Sequence, residues 1–121
     1  MNNSFPKQEK LKSRKTIEKL FVEGNSFVKY PIKLFFVAQA ELNTTQATFA
    51  VPKRSFKLAV KRNLIKRQLR EAYRLNKQPL LMEGGKNFAI LFLYLGKDLP
   101  KYEALEKSMR SLLKKLKDEV S

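Results

Sequence analysis

The stretch KLAVKRNLIKRQLREAYR, residues 57–74, has the apolar spacing of an amphipathic helix. At about 100° per residue, Ile65, Leu69 and Ala72 fall on one side of this helix. That side can pack against a sheet. The pattern predicts a helix over about 57–76 that ends before the next proline, because the residue preceding a proline disfavours helical backbone.

The other side of this helix is almost entirely basic. Glu71 is the only acidic residue in the stretch, whereas a helix that merely keeps a protein soluble usually mixes charges of both signs. Guanidinium groups match phosphate oxygens in a two-pronged way, so a face of one sign is typical of a polyanion-binding surface. A solvated surface helix is the alternative. Leu64 and Leu75 lie outside this face and are expected to pack on the sheet. The polar residues of the face are Arg62, Asn63, Lys66, Arg67, Arg70 and Arg74.

The segments on either side of the helix have the patterns of strands. Residues 46–51 alternate apolar and polar positions and end at Pro52. Residues 88–95 are almost continuously apolar, as expected of a strand buried on both faces. Farther upstream, residues 27–30 and 32–38 have the composition of two more strands. Four strands are therefore predicted.

Two further helices complete the predicted order. Ser13 can cap a helix that continues to about Glu23, and Gly24 stands where helices commonly stop. The residues after about Pro100 carry apolar side chains at helical spacing. Residues 1–12 are polar and basic, and we expect them to form an irregular arm. The 121 residues are therefore predicted to form a single α+β domain with the order αβββαβα.

The composition excludes most catalytic chemistries. The chain has no cysteine and no histidine, which rules out disulfides, Cys/His zinc sites and histidine-assisted nucleophilic catalysis. The 11 acidic residues are scattered along the chain, so we expect no carboxylate cluster able to hold Mg²⁺ by itself. A metal-dependent nuclease that acts alone is therefore disfavoured.

The charge of the chain points to a polyanionic partner. The 26 basic residues leave a net charge of +15, and residues 53–74 carry +8 of it. Nucleic acid is the first expected partner, and an anionic membrane is the second. No apolar run approaches the roughly 20 residues of a membrane-spanning helix. We expect a soluble cytoplasmic protein that does not bind membranes.

The second predicted strand offers another candidate surface. Ile32, Leu34 and Phe36 share one face of it, which is expected to point at the main core. Lys33 and Phe35 lie on the other face. A basic residue beside an aromatic ring is a combination that holds single-stranded bases and their phosphates. The alternative is that this phenylalanine packs beneath the first helix as ordinary core.

Four motifs occur together: Lys10-Leu11, Phe21 before Val22-Glu23-Gly24, Val51-Pro52-Lys53-Arg54, and residues 59–71. With these motifs, the chain resembles the protein subunit of bacterial ribonuclease P over nearly its whole length. Residues 59–71 match the family motif A-V-x-R-N-R-x-K-R-x-x-R-E at every fixed position except the second arginine of R-N-R, which is Leu64 here. Two other departures are Ile17, where the family often has phenylalanine, and residues 55–58, which replace a shorter glycine-containing link.

The resemblance implies a particular fold and partner. The fold is αβββαβα with a four-stranded sheet and a left-handed β-α-β crossover that contains the basic helix, and it also occurs in the second domain of a ribosomal protein. The partner is a large catalytic RNA, with one protein bound per RNA. That RNA removes the 5′ leader of precursor tRNA with Mg²⁺, which the RNA and the substrate mainly hold. The protein would then be the non-catalytic subunit of an endoribonuclease.

The resemblance also assigns roles to residues of this chain. The basic helix faces the catalytic RNA, and a cleft between the first helix and the sheet receives the single-stranded leader. The implied RNA-binding residues are Lys53, Arg54, Lys61, Arg62, Asn63, Lys66, Arg67, Arg70 and Arg74. The implied cleft residues are Ile17, Phe21, Lys33 and Phe35. No catalytic residue and no metal ligand is expected in the protein.

Two other binding functions remain open at this stage. A structural RNA-binding protein of the ribosome is the main alternative, since the same fold and charge would serve there. The R-N-x-x-K-R-x-x-R-E spacing favours the ribonuclease P subunit. A sequence-specific DNA-binding protein would use residues 57–76 as its recognition helix, but no second short helix precedes them to complete a helix-turn-helix.

Overall fold

The computed structural model describes residues 10–38, 45–77 and 87–120. The observed element order is αβββαβα, which confirms the prediction. The elements are α1 (Arg14–Glu23), β1 (Asn25–Lys29), β2 (Ile32–Ala38), β3 (Gln46–Ala50), α2 (Ala59–Asn76), β4 (Phe88–Tyr94) and α3 (Tyr102–Val120).

The four strands form one sheet in the order β1-β2-β4-β3. The pairs β1–β2 and β2–β4 are antiparallel, whereas β3 and β4 are parallel. The chain between these two parallel strands contains α2, so the sheet has the β-α-β crossover that the resemblance implies. The left-handed sense of that crossover stays a prediction. Strand β4 is paired on both sides, which explains why its sequence is almost continuously apolar.

The main core lies between one face of the sheet and the helices α2 and α3. Strand β4 sends Phe88, Ile90 and Phe92 into this core, and all three are buried. The predicted apolar side of α2 is buried against them. The members from the other elements include Ile32, Leu34 and Phe36 of β2, Ile65, Leu69 and Ala72 of α2, and Leu105, Met109, Leu112, Leu113 and Leu116 of α3.

The opposite face of the sheet is covered by α1. Leu20 of this helix is fully buried with Ala89 and Leu91 of β4. Leu11, which precedes α1, belongs to the same cluster. Within the described residues, α1 covers this face only in part, and Phe35, Val37, Ala50 and Leu93 on it are half-buried.

The ends of α1 agree with the sequence signals. The Ser13 hydroxyl accepts a hydrogen bond from the Thr16 backbone N–H at 3.3 Å, which is the capping contact expected of this residue. Gly24 ends the helix with extended backbone. A Cβ at this position would lie 2.4 Å from the carbonyl oxygen of Leu20, so the close approach of the chain requires glycine here.

Three details differ from the sequence prediction. Leu64 and Leu75 do not pack on the sheet but are 39% and 51% exposed, because the buried stripe of α2 turns the other way and includes Tyr73. Helix α2 begins at Ala59, two residues later than expected, because Leu58 has extended backbone.

Leu11 is buried and its N–H donates to the carbonyl of Ala47, so the end of the expected irregular arm is fixed to β3. Residues 1–9 lie outside the described residues.

The hydroxyl of Tyr102, at the start of α3, is buried and makes no hydrogen bond within the described parts of the chain. Burial raises the pKa of this hydroxyl above its ordinary value of 10.0, with a smaller contribution from the carboxylate of Glu106. Folding therefore favours the neutral phenol. The stability that depends on it is complete below pH 10 and is lost as the pH rises through the higher folded-state pKa.

The substitution Tyr102→Phe should leave the protein at least as stable at neutral pH, with a gain of up to about 1 kcal/mol from removing an unpaired buried hydroxyl. Its advantage over the wild type in free energy of unfolding should grow as the pH is raised from neutrality to above 10. Denaturant unfolding of both proteins across this range measures the difference in free energy of unfolding. Titration of the lysines affects both proteins equally and therefore cancels in that difference. A variant that is less stable at every pH would contradict this description of the hydroxyl.

Candidate nucleic-acid interface

The basic face predicted on α2 is present at the surface, but its members are not equivalent. Asn63, Arg67 and Arg70 are exposed. Arg62, Lys66 and Arg74 are half-buried. The exposed members can meet a phosphate directly, whereas the half-buried ones also contact the protein.

Arg62 supports the segment that leads into α2. Its Nη1 donates hydrogen bonds to the carbonyl oxygens of Phe56 at 2.7 Å and Lys57 at 2.9 Å. Phe56 is itself buried in the main core and packs on Tyr94 with ring centroids 5.9 Å apart. Arg62 therefore fixes the segment between β3 and the helix. The sequence pattern predicted that this arginine lies on the basic face of the helix but did not reveal its hydrogen bonds to the two carbonyl oxygens.

Arg74 is paired within its own helix. Its Nη2 lies 2.6 Å from Oε1 of Glu71, and its Nε donates to the other carboxylate oxygen at 3.2 Å. These hydrogen bonds lower the pKa of Glu71 and raise the pKa of Arg74. Both side chains are partly exposed, so the pair contributes little to stability. It does reduce the charge that Arg74 offers to an anion.

A second group of cations lies near the start of α2. Lys53 and Arg54 are exposed in the segment that follows β3. Arg54 lines a cavity of about 510 Å³ together with Lys97. Lys61 lines an adjoining cavity of about 470 Å³ with Lys57 and the same Lys97.

Sequence reasoning missed Lys57 and Lys97 as members of this group. Lys97 is 40 or more residues from Arg54 and Lys57 in sequence. Because β3 and β4 are parallel, their carboxyl ends lie side by side at the same end of the sheet. Lys57 follows the end of β3 in sequence, and Lys97 follows the end of β4. The β-α-β crossover that the resemblance implies makes these two strands parallel, and it is the signal from which the two lysines could have been found.

The structure brings the four predicted cleft residues together. The rings of Phe21 on α1 and Phe35 on β2 lie 5.1 Å apart at an angle of 58°. The ammonium group of Lys33 lies 4.9 Å from the centre of the Phe35 ring. Ile17 packs against the buried cluster beneath α1, as Phe35 also does. Phe21 is 51% exposed, so the cleft presents an open aromatic surface with a cation beside it.

Phe35 combines the two roles that the sequence left open. It is half-buried and packs against the cluster of Leu20, Ala89 and Leu91, as ordinary core would. Its ring also contacts the exposed Phe21 and the half-buried Lys33. A base could therefore reach this pair of rings without unfolding the helix above them.

The described residues show no constellation for metal chemistry. Within residues 10–38, 45–77 and 87–120, no three acidic side chains gather where they could hold a metal ion. In the same ranges, no helix is long and apolar enough to cross a membrane. The arrangement of cations and aromatic rings is suited to binding phosphates and bases.

These features define a class of small, strongly basic α+β proteins with an exposed basic crossover helix. Comparisons with known proteins identify the family. The sequence profile of the ribonuclease P family matches residues 5–117. The ribonuclease P protein component of Porphyromonas gingivalis is 37% identical over 112 residues, which cover 88% of this chain and 82% of that protein. That of Chlorobium phaeobacteroides is 36% identical over 126 residues, covering 92% and 86%.

Solved structures show the same fold. The RNase P protein from Thermotoga maritima matches with a TM-score of 0.73 at 23% identity, covering 88% of this chain and 96% of that one. The RNase P protein of Staphylococcus aureus matches with a TM-score of 0.72 at 21% identity, covering 89% and 94%. The chain belongs to the ribonuclease P family and is a bacterial-type protein subunit.

Arg62 and Arg67, the two arginines of the R-N-x-x-K-R motif, should differ in their contribution to the free energy of unfolding. Arg62→Ala should lower the free energy of unfolding by about 1–3 kcal/mol, because two backbone carbonyls lose a charged donor. Arg67→Ala, at an exposed position of the same helix, should change it by less than about 0.5 kcal/mol. Denaturant unfolding without RNA measures both. Equal stabilities would show that the Arg62 contacts do not support the fold.

Proposed function

We propose that this chain binds the catalytic RNA of ribonuclease P and the 5′ leader of precursor tRNA. It thereby assists the endonucleolytic cleavage that produces the mature 5′ end of tRNA. The observation that carries the proposal is the family motif on the exposed side of α2, in a chain whose relatives are named ribonuclease P protein component. The proposed partners are one catalytic RNA per protein and the precursor tRNA.

The basic face of α2 is the proposed contact for the catalytic RNA. Asn63, Arg67 and Arg70 are exposed, and no acidic residue lies between them in sequence. Cations in this arrangement neutralise phosphates and release counterions, which gives affinity with little dependence on sequence. Lys53, Arg54 and Lys61 extend the positive surface toward the start of the helix.

The cleft under α1 is the proposed site for the leader. A leader is single-stranded, so its bases can leave the stack and pack on aromatic rings. Phe21 and Phe35 provide such rings, and the nearby Lys33 can neutralise the attached phosphate. Because α1 and α2 cover opposite faces of the sheet, the leader and the catalytic RNA can be held at once.

Mg²⁺ belongs to the RNA and its substrate in this proposal. The described acidic residues do not gather into a metal site, and Glu71 is already paired with Arg74. The metal would supply the activation of water when bound by RNA. The protein would hold the two RNAs in place, and the proposed location of the assembly is the cytoplasm.

The direct test is reconstitution of cleavage. The protein added to a bacterial ribonuclease P RNA should restore cleavage of precursor tRNA at a low Mg²⁺ concentration at which the RNA alone is inactive. The protein alone should cleave nothing at any Mg²⁺ concentration. Cleavage that co-elutes with RNA-free protein would overturn the proposal. Copurification with ribosomes instead of one RNA would favour a ribosomal role.

Removal of one cleft ring should weaken precursor tRNA binding only when a leader is present. Phe35→Ala should cost about 1–3 kcal/mol of binding to the holoenzyme with a long leader, which is the usual loss for one stacked base. The loss should vanish when the leader is cut to one or two nucleotides, because the cleft is then empty. Titration of the holoenzyme with substrates of graded leader length measures it.

Leu75→Ala is the matched control for this loss. It removes an exposed apolar side chain from α2, on the other face of the sheet, and should not change leader dependence. Thermal unfolding of both variants tests the core role of Phe35. Equal losses on long-leader and leaderless substrates would show that Phe35 acts through the core alone.

A further inference from the structure

A groove of about 270 Å³ lies beside the basic face of α2 and shares Lys66 and Arg70 with it. It is bounded by the segment before α1, by the edge strand β3 and by α2. Among the described residues, four cations from two of these elements line it and no acidic side chain does. The residues that matter here are Lys10, Lys12, Thr48, Phe49, Lys66 and Arg70.

The position of the two lysines before α1 is fixed by the sheet. Lys10 forms a parallel bridge with Ala47, and the N–H of Leu11 donates to the Ala47 carbonyl at 2.9 Å. The side chain of Leu11 is buried in the cluster beneath α1. Because neighbouring side chains of an extended segment point to opposite sides, Lys10 and Lys12 are directed away from that cluster. Both line the groove.

Across the groove, α2 contributes the other two cations. Lys66 and Arg70 are one helical turn apart, a spacing at which like charges repel. Lys10 and Lys12 add to that repulsion, and within residues 10–38, 45–77 and 87–120 no carboxylate of the groove lining offsets it. Four cations held together by two separate elements indicate a site for an anion that contacts both.

The shape of the groove narrows the choice of anion. Its volume of about 270 Å³ is below the roughly 300–1,000 Å³ of small-molecule pockets. The edge strand β3 contributes Thr48 and Phe49 to its lining. A short length of sugar-phosphate backbone fits these dimensions and this chemistry better than a cofactor does.

We infer that this groove clamps a phosphodiester of RNA between the N-terminal lysines and α2. The inference rests on the proposed function and adds Lys10 and Lys12 to the RNA interface, although both lie outside the basic helix. The phosphate can belong to the catalytic RNA or to the leader of the precursor. The clamp joins the two faces of the sheet, since Leu11 between the two lysines packs beneath α1.

The test is the salt dependence of RNA binding by the full chain. Lys10→Gln with Lys12→Gln should make the plot of log affinity against log salt shallower by up to about one unit, since one neutralised phosphate contributes about one. Lys107→Gln with Lys114→Gln is the matched control. It removes the same charge from exposed positions of α3 and should leave the slope unchanged.

Two substrates distinguish the source of the phosphate. A slope change with the ribonuclease P RNA alone assigns the phosphate to that RNA. A change seen only in the holoenzyme with a long-leader precursor assigns it to the leader. If both double variants behave alike on both substrates while the wild type still binds and restores cleavage, the clamp is refuted and the proposed function stands. Loss of RNA binding by the wild type itself would refute the proposed function instead.

A double-mutant cycle tests whether the two sides share one phosphate. Lys12→Gln and Arg70→Gln should together cost less than the sum of their separate losses in log affinity, because each disrupts the same clamp. Lys12→Gln combined with Arg67→Gln, which lies outside the groove lining, should be additive. Additive losses for the first pair would overturn the clamp. Unfolding of each variant should be unchanged, since Lys12 and Arg70 are exposed.

Discussion

The alternation of side chains along β4 is the constraint on which the rest of the structure depends. This strand is paired on both sides, so its backbone groups are hydrogen-bonded within the sheet, and its apolar side chains need cover on both faces. Phe88, Ile90 and Phe92 need a deep core on one face, whereas Ala89 and Leu91 need only a shallow one on the other. The large side chains on one face are covered by the two long helices α2 and α3, whereas the smaller ones on the other face are covered by the short helix α1. The unequal faces of the molecule follow from this difference.

The unequal cover of the two faces explains where the candidate binding surfaces lie. Helix α2 buries one stripe in the deep core, which leaves the rest of its circumference for cations. The shallow face is only partly covered by α1, and the aromatic pair of Phe21 and Phe35 lies at the edge of that cover. A net charge of +15 is tolerated because most of the excess faces outward, where a polyanion can neutralise it.

Local patterns in the sequence predicted the elements, and long-range pairing decided what they missed. Helix α1 and strands β2 and β4 were predictable because capping, alternation and apolar runs are local signals. Leu64 was misplaced because wheel geometry cannot show which way a helix rotates on its sheet. The grouping of Lys97 with Arg54 depends on the parallel β3–β4 pair, which no local pattern encodes. The carbonyl contacts of Arg62 required the path of the preceding segment.

In the proposed function, the two faces of the sheet hold two different RNAs. The chain has no cysteine, so one introduced cysteine carries a cross-linker at a unique place. Val22 on α1 is 83% exposed and Val60 on α2 is 78% exposed, and neither is assigned an RNA contact. In the assembled complex, a cross-linker at position 22 should attach to the precursor leader and one at position 60 to the catalytic RNA. Attachment of both to the same RNA would contradict the account.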